Sequence, residues 1–562
     1  MTKTSFAWDE VYPDNVEWHA PLEGRPLYEL LEDAVTRFPD NVAVRFMGRA
    51  FTYREIDALT KKMVAGLREL GIKRGVKVGI CLPNCPQFIV SYFAILRTGA
   101  TVVNYSPLYS RKELGDKIND SGTEVMITLD MKLIFPKVQK NLEESCLKKI
   151  IICSLTDVLP VGKKIGFMLF KRSELAELPE GKEYIEWDHL LRHSPDEEAA
   201  TVHPQEDIAV LQYTGGTTGT PKGVMLSHAN CFINAQQCAM WFAEAEEGKE
   251  VFLAVLPLFH VFAMTTIMNF GVLLGAEIVL HPKFELKSIL NDIGKYKITV
   301  MPGVSTLFAA VNNCPTLSKY SLTSMKYCVS GGGPLPEAVK LEFESVTGCS
   351  LVEGYGLSES SPVVACNPLK GENRTGSIGL PFPGTILEIV DKEDHTTLME
   401  TGEEGEICIR GPQVMQGYWQ QLEETNATLR KTPEGDLRLH TGDVGIMEED
   451  GYFRVVDRLK ELIICNGFNV YPRQVEEAIH LHPTVAECAV IGIEHESRGE
   501  VPKAFIVFKE GQAIEPEEMR QFLKEHLPPY AIPHDYTFRT ELPKTLVGKV
   551  DKKPLKAEGA DD

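Results

Sequence analysis

Residues 208–223 constrain this chain more than any other stretch. The run Ile208-Ala209-Val210-Leu211-Gln212-Tyr213 has the length and apolar character of a buried strand. It passes directly into a loop, and residues 213–223 hold four glycines, four threonines and one lysine, Lys222. Glycine lets backbone N–H groups approach phosphate oxygens with no Cβ in the way. The hydroxyls of Thr214, Thr217 and Thr218 add donors or reach a cation, and Lys222 adds positive charge. A loop of this make-up at the end of a strand is suited to cradle phosphates. It is not a Walker A loop, since no Gly-Lys-Ser/Thr run occurs in it. An ordinary turn has no need of so many hydroxyls beside a lysine.

The same rhythm of apolar run and helical pattern recurs along the chain. Val76–Ile80 reads as a strand, Pro86–Arg97 as a helix and Ala100–Asn104 as a further strand. Such alternation indicates βαβ units and largely parallel sheets. A chain of 562 residues exceeds what one hydrophobic core supports, so at least two domains are expected. The clearest boundary lies at Asp457–Glu461, after which the pattern is compact α+β: a helix over Tyr471–Leu481, strands over Glu487–Ile493 and Ala504–Phe508, and a helix from Pro516 to His526.

Charge and cysteine usage exclude several classes. A net charge of −21 is the opposite of what a nucleic-acid binder presents, so no nucleic-acid partner is expected. Thirteen cysteines with no C-x-x-C pair read as packed, reduced thiols, and no ligand spacing typical of a zinc site is visible. The N-terminus has no apolar signal-peptide core, which points to a cytoplasmic protein. Val251–Ala276 carries no formal charge over 26 residues, long enough to span a bilayer. Pro257, His260 and Asn269 within it favour a strand followed by a buried helix.

Further motifs follow the phosphate loop in order: Ser330-Gly331-Gly332-Gly333-Pro334, Glu353-Gly354-Tyr355-Gly356-Leu357-Ser358-Glu359, Thr441-Gly442-Asp443, Asp457-Arg458-Leu459-Lys460-Glu461, Gly467-Phe468-Asn469-Val470 and Pro543-Lys544-Thr545-Leu546-Val547-Gly548-Lys549. Together with the loop they resemble the signature of the adenylate-forming superfamily of acyl-CoA synthetases, peptide-synthetase adenylation domains and beetle luciferases. The resemblance implies an α/β fold with a large N-terminal domain (1–457) of largely parallel sheets, flanking helices and a β-rich subdomain. A small mobile α+β domain (458–562) caps it. It also implies two-step chemistry with ATP and CoA as co-substrates and Mg²⁺ as cofactor. A carboxylate attacks the α-phosphate of ATP, and CoA then displaces AMP from the acyl-adenylate. The first step brings anion onto anion, so positioned cations and donors should carry most of the catalysis.

By the same resemblance Lys549 is the principal catalytic cation, with Lys222 and His260 assisting; Val547 stands where the family more often has serine. The nucleotide would be bound by Tyr213, Thr214, Gly215, Gly216, Thr217, Thr218, Gly219, Gly332, Gly333, Gly354, Tyr355, Gly356, Ser358, Asp443 and Arg458. Asp443 is the expected acceptor of the ribose hydroxyls. Glu359 and Thr214 are the expected Mg²⁺ ligands, Lys460 the hinge, and Gly467 and Phe468 the lining of the CoA path. The acyl site would involve His260, Met264, Val304 and Gly331, with Met264 at the position of a gate residue.

The local sequence most resembles long-chain fatty acyl-CoA ligases, so the expected substrate is a long-chain fatty acid. A medium-chain or aryl acid-CoA ligase, a fatty acyl-AMP ligase and a non-enzymatic lipid-binding partner remain alternatives. A homodimer is implied by the resemblance alone. Gly162-Lys163-Lys164-Ile165-Gly166-Phe167-Met168-Leu169-Phe170-Lys171-Arg172 sets an apolar run between basic pairs. It reads either as a surface loop partly packed on the core or as a peripheral contact with the inner face of a membrane.

Overall fold

The structure is a computed structural model that describes residues 6–214, 221–465, 468–495, 498–545 and 548–559. Two large sheets organise the N-terminal part. An eight-stranded sheet has the spatial order Gly417–Tyr418, Lys222–Ser227, Ile208–Thr214, Thr101–Asn104, Lys77–Cys81, Val125–Leu129, Lys149–Cys153, Tyr184–Glu186. Its six strands from Ile208–Thr214 to Tyr184–Glu186 are parallel, as the alternating pattern predicts. The helix Pro86–Arg97 between two of them is buried along its whole length, with Pro86 at its first turn, where its missing N–H costs nothing.

A nine-stranded sheet places Val251–Ala254, Val300–Gly303, Tyr327–Gly331 and Leu351–Gly356 side by side and parallel. In its register Gly303 lies opposite Ser330, and Gly331 opposite Gly354. Four neighbouring strands therefore deliver their carboxyl ends to one edge, where open α/β sheets bind ligands. The charge-free stretch 251–276 resolves into the strand Val251–Ala254 and a helical segment from Val261 to Leu273 with a π-helical turn, Met264–Asn269. Both halves are core, and among the described residues no helix is long and apolar enough to cross a membrane.

The β-rich subdomain is antiparallel, built on Ile386–Val390, Gly405–Arg410, Leu437–Met447 and Phe453–Arg458. After Arg458 the chain forms a separate five-stranded sheet with helices Pro472–His480 and Pro516–Leu523. Val475, Ile479, Val490, Ile506, Met519 and Leu523 make that unit's own hydrophobic core. It meets the larger part through Tyr471, which packs on Val444 and Val456 and donates its hydroxyl to Glu404 at 2.8 Å, through the Arg473 N–H donated to Asp457 at 2.9 Å, and through the Thr306 hydroxyl donated to the Gly548 carbonyl at 3.2 Å. All thirteen cysteines are free and most are buried. Residues Val161–Phe170 form a helix rather than a surface loop; Pro160 precedes it, and none of its side chains is buried.

Candidate active site

The site forms where the carboxyl ends of the nine-stranded sheet meet the C-terminal unit. The side chain of Lys549 lies over Gly332, and a Cβ at Gly332 would stand 2.5 Å from Lys549 Cε. Gly332 also has φ of +79°, so both backbone and space require glycine there. Lys549 and His260 line the same small cavity with Leu256, Pro257, Phe262, Ala263 and Val304. Burial, reinforced by the positive charge of Arg458, lowers the Lys549 pKa to about 8. Burial and the neighbouring Lys549 lower His260 to about 3, so its ring is neutral. His260 Nδ1 accepts the Phe262 backbone N–H at 3.3 Å. The proton of the neutral ring therefore sits on Nε2, leaving a donor for an anionic oxygen.

A second cluster surrounds Asp443. Its Oδ2 accepts the Tyr355 hydroxyl at 2.5 Å and its Oδ1 accepts Arg458 Nε at 3.0 Å. The antiparallel pairing of Leu437–Met447 with Phe453–Arg458 sets Asp443 opposite Arg458. Tyr355 arrives from the end of the strand Leu351–Gly356. Next to it Gly356 packs so closely on the Pro362 carbonyl that no side chain fits.

Glu359 follows in the short helical turn Ser358–Ser360. Its carboxylate accepts the Tyr418 hydroxyl at 2.7 Å, and burial raises its pKa. Lys222 sits 5.0 Å from the centre of the Tyr418 ring and pairs with Glu424. Thr214 faces Lys222 across the strand pair that flanks the phosphate loop. The oxygen donors Glu359 and Thr214 are of the kind a hard divalent cation takes.

The family descriptor for AMP-binding enzymes matches residues 31–419, and that for the AMP-binding enzyme C-terminal domain matches 474–549. The chain belongs to the AMP-binding enzyme family. A long-chain-fatty-acid–CoA ligase of Bacillus subtilis (strain 168) is 42% identical over 562 residues, covering 98% of each chain. A 4-coumarate–CoA ligase of Humulus lupulus is 32% identical over 549 residues, covering 95% of this chain and 94% of that one. Among solved structures, an anthranilate CoA ligase in complex with anthranoyl-AMP superposes with a TM-score of 0.83 at 26% identity, over 96% and 98% of the two chains.

In this AMP-binding enzyme the structure brings Lys549, His260, Val304, Gly332, Tyr355, Asp443 and Arg458 to one cleft. Gly331 backs that cleft against the ring of Phe262, which a Cβ would meet at 2.8 Å. Tyr213 lies elsewhere: its hydroxyl donates to Asp120. Met264 is fully buried, its sulfur 3.5 Å from Asn104 Nδ2, and it lines neither cavity wall. Lys460 is exposed in the short connection between Phe453–Arg458 and Ile463–Cys465. Phe468 stacks on Tyr530 with ring centres 4.7 Å apart. Gly215, Gly216, Thr217, Thr218, Gly219 and Gly467, with Leu546 and Val547, lie outside the described residues.

Three functional neighbours escape a reading of the sequence. Phe262 shapes the space beside His260; the only signal is its position two residues on. Tyr418 holds Glu359, and the aromatic pair Tyr418-Trp419 after a glycine is the trace it leaves. Arg473 of the C-terminal unit is the third: it faces Glu353 at 3.9 Å, a carboxyl buried within the strand Leu351–Gly356 and raised to about pKa 7 by burial.

Proposed function

We propose that this AMP-binding enzyme joins long-chain fatty acids to CoA through an acyl-adenylate, releasing AMP and pyrophosphate. The observation that carries this reading is the shared cavity of Lys549 and His260. That cavity shares Leu256, Pro257 and Val304 with a far larger one of about 2590 Å³, which continues past Phe284 and Met131 to Phe167 and Phe170. A carboxylate seated beside His260 can thus extend an aliphatic tail along an apolar wall.

In the first half-reaction a carboxylate oxygen bonds to the α-phosphorus while the bond to pyrophosphate breaks. His260 Nε2–H holds the carboxylate, and the Lys549 ammonium offsets charge where the two anions meet. Asp443, steadied by Tyr355 and Arg458, accepts from the ribose. The oxygen donors of Glu359 and Thr214 would hold Mg²⁺, which supplies charge neutralisation for the departing phosphates. In the second half-reaction the CoA thiolate attacks the acyl carbon and the C–O bond to AMP breaks. Residues 458–562 turn about Lys460 between the steps, carrying Lys549 away and bringing Gly467 and Phe468 to the pantetheine. The separate hydrophobic core of the C-terminal unit and the position of Lys460 in a short exposed connection support this motion.

The test is thioester formation with ATP, CoA and acids from acetate to oleate, plus hydroxycinnamates. Activity is expected from about C10 to C18, because each buried methylene contributes about 0.8 kcal/mol before the cost of ordering the tail. A maximum at acetate or at a hydroxycinnamate would overturn the long-chain assignment, and adenylate without thioester would indicate an acyl-AMP ligase.

The helix Val161–Phe170 supports a second reading, peripheral contact with an anionic membrane surface. Leu169 is 72% and Phe170 84% exposed. Lys163 and Lys171 stand beside the same groove. Exposed apolar side chains framed by lysines suit an anionic lipid interface, and the groove behind them would receive a fatty acid from it. Binding to anionic vesicles that survives Leu169→Asp combined with Phe170→Asp would rule this out.

A further inference from the structure

A cluster of metal-ligating side chains lies in the antiparallel subdomain, away from the catalytic cleft. Cys408 of the strand Gly405–Arg410 pairs with His440 of Leu437–Met447. His440 Nδ1 is 2.7 Å from Glu406 Oε2 and 3.3 Å from Cys408 Sγ. His395 Nδ1 is 3.5 Å from the same Glu406 oxygen, and the two imidazoles meet edge-on with centres 5.7 Å apart. Glu406 and His440 are buried. One donor atom from each of His395, Glu406 and His440 falls within a 4.8 Å group.

Two further observations set this cluster apart from a packed histidine pair. His395 Nδ1, which faces Glu406, is buried without a hydrogen-bond partner, which a native structure rarely leaves unexplained. His395 also holds a left-handed backbone with φ of +56°, a conformation uncommon for a residue with a side chain. The turn is cinched to keep it there: Asp394 accepts the N–H groups of Thr396 and Thr397, and His395 N–H donates to the Asp391 carbonyl. The backbone is bent so that an imidazole returns toward a buried carboxylate.

We propose that His395, Glu406 and His440 bind one Zn²⁺ ion as its three protein ligands, with the fourth position left to a water. Metal–ligand bonds of about 2.0–2.2 Å in a tetrahedron place N and O donors roughly 3.3 Å apart, close to the separations found here. For His440 to ligate through Nδ1, its ring proton moves to Nε2. The other oxygen of Glu406 accepts the Gly442 N–H at 2.9 Å, directly before Asp443. An ion held by Glu406 would therefore brace the turn that presents Asp443, the residue read above as the ribose acceptor.

The test uses the full chain, cleared with a chelator and titrated with Zn²⁺ without substrates, so its result is independent of the acyl-CoA reading. One equivalent should bind to the wild type, and His395→Asn, which tolerates the left-handed backbone, should bind it at least about tenfold more weakly. Co²⁺ in place of Zn²⁺ should give the intense visible bands of a four-coordinate ion, and His395→Asn should lose them. Metal-free His395→Asn should match the metal-free wild type in ligase activity. Equal Zn²⁺ affinity in wild type and His395→Asn, or a Co²⁺ spectrum unchanged by that substitution, overturns the proposal.

Discussion

Lys549 Cε lies 2.5 Å from the point where a Cβ on Gly332 would stand, so glycine at 332 is what lets the C-terminal lysine reach the cleft. Gly332→Ala should displace Lys549 and strain a backbone at φ of +79°. Adenylate formation should fall by roughly a hundredfold, the scale of a misplaced catalytic group. Conversion of supplied acyl-AMP and CoA to thioester should stay near wild type, since the proposed mechanism uses Lys549 only in the first step. Separate half-reaction assays decide it, and equal loss in both would refute the division of labour.

The pKa of Lys549, held near 8 by burial and by Arg458, sets the pH limit of the same step. The ammonium form is the active one, so kcat/KM for ATP should be level below pH 8 and fall as pH rises through it. Lys549→Arg keeps its charge above that pH and should lose the alkaline fall, whatever its absolute rate. A pH–rate profile for pyrophosphate release checks this.

Glu353 links pH to stability in the opposite way from a salt-bridged surface acid. Its folded pKa is raised to about 7 from 4.5, so between those values the native state keeps a proton that the unfolded chain releases. Stability from this group is therefore full below about 4.5, declines as pH rises to about 7 and is constant above it. The full effect is about 3 kcal/mol at 1.36 kcal/mol per pH unit. Glu353→Gln should flatten that part of the Tm-against-pH curve.

Phe262 and Met264 should behave differently when enlarged. Phe262 lines the cavity beside His260, whereas Met264 is sealed in the core. Phe262→Trp should slow long acids relative to octanoate and leave Tm nearly unchanged. Met264→Trp should lower Tm, because overpacking a filled core costs about 1–3 kcal/mol, with the chain-length profile retained. The reverse pattern would return Met264 to the role of gate.

Lys460→Pro should fix φ in the connection between the two parts. Thioester formation from acyl-AMP should then fall more than adenylate formation. Equal factors for the two half-reactions would place the pivot elsewhere.

The elements were the most legible part of the chain. The helix Pro86–Arg97 and the strand Thr101–Asn104 stand where the apolar pattern and a helix-starting proline place them. Motifs confined to one turn, such as Thr441-Gly442-Asp443, carried their chemistry openly, because their residues act from adjacent backbone positions. Contacts that join distant strands left no spacing to read. Lys549 meets Gly332 and His260 across more than two hundred residues, and the His395, Glu406, Cys408 and His440 cluster is gathered by strand pairing and one left-handed turn. Met264 fails as a lining residue for the same reason: a helical position names a face only once the neighbouring strands decide which face is core. Sequence alone determined the family motifs, the α/β class and the local elements, since these follow from short-range periodicity and residue chemistry. The tertiary structure alone decided which side chains share the cavity and which carboxyls are buried enough to shift, because burial and distance are properties of packing.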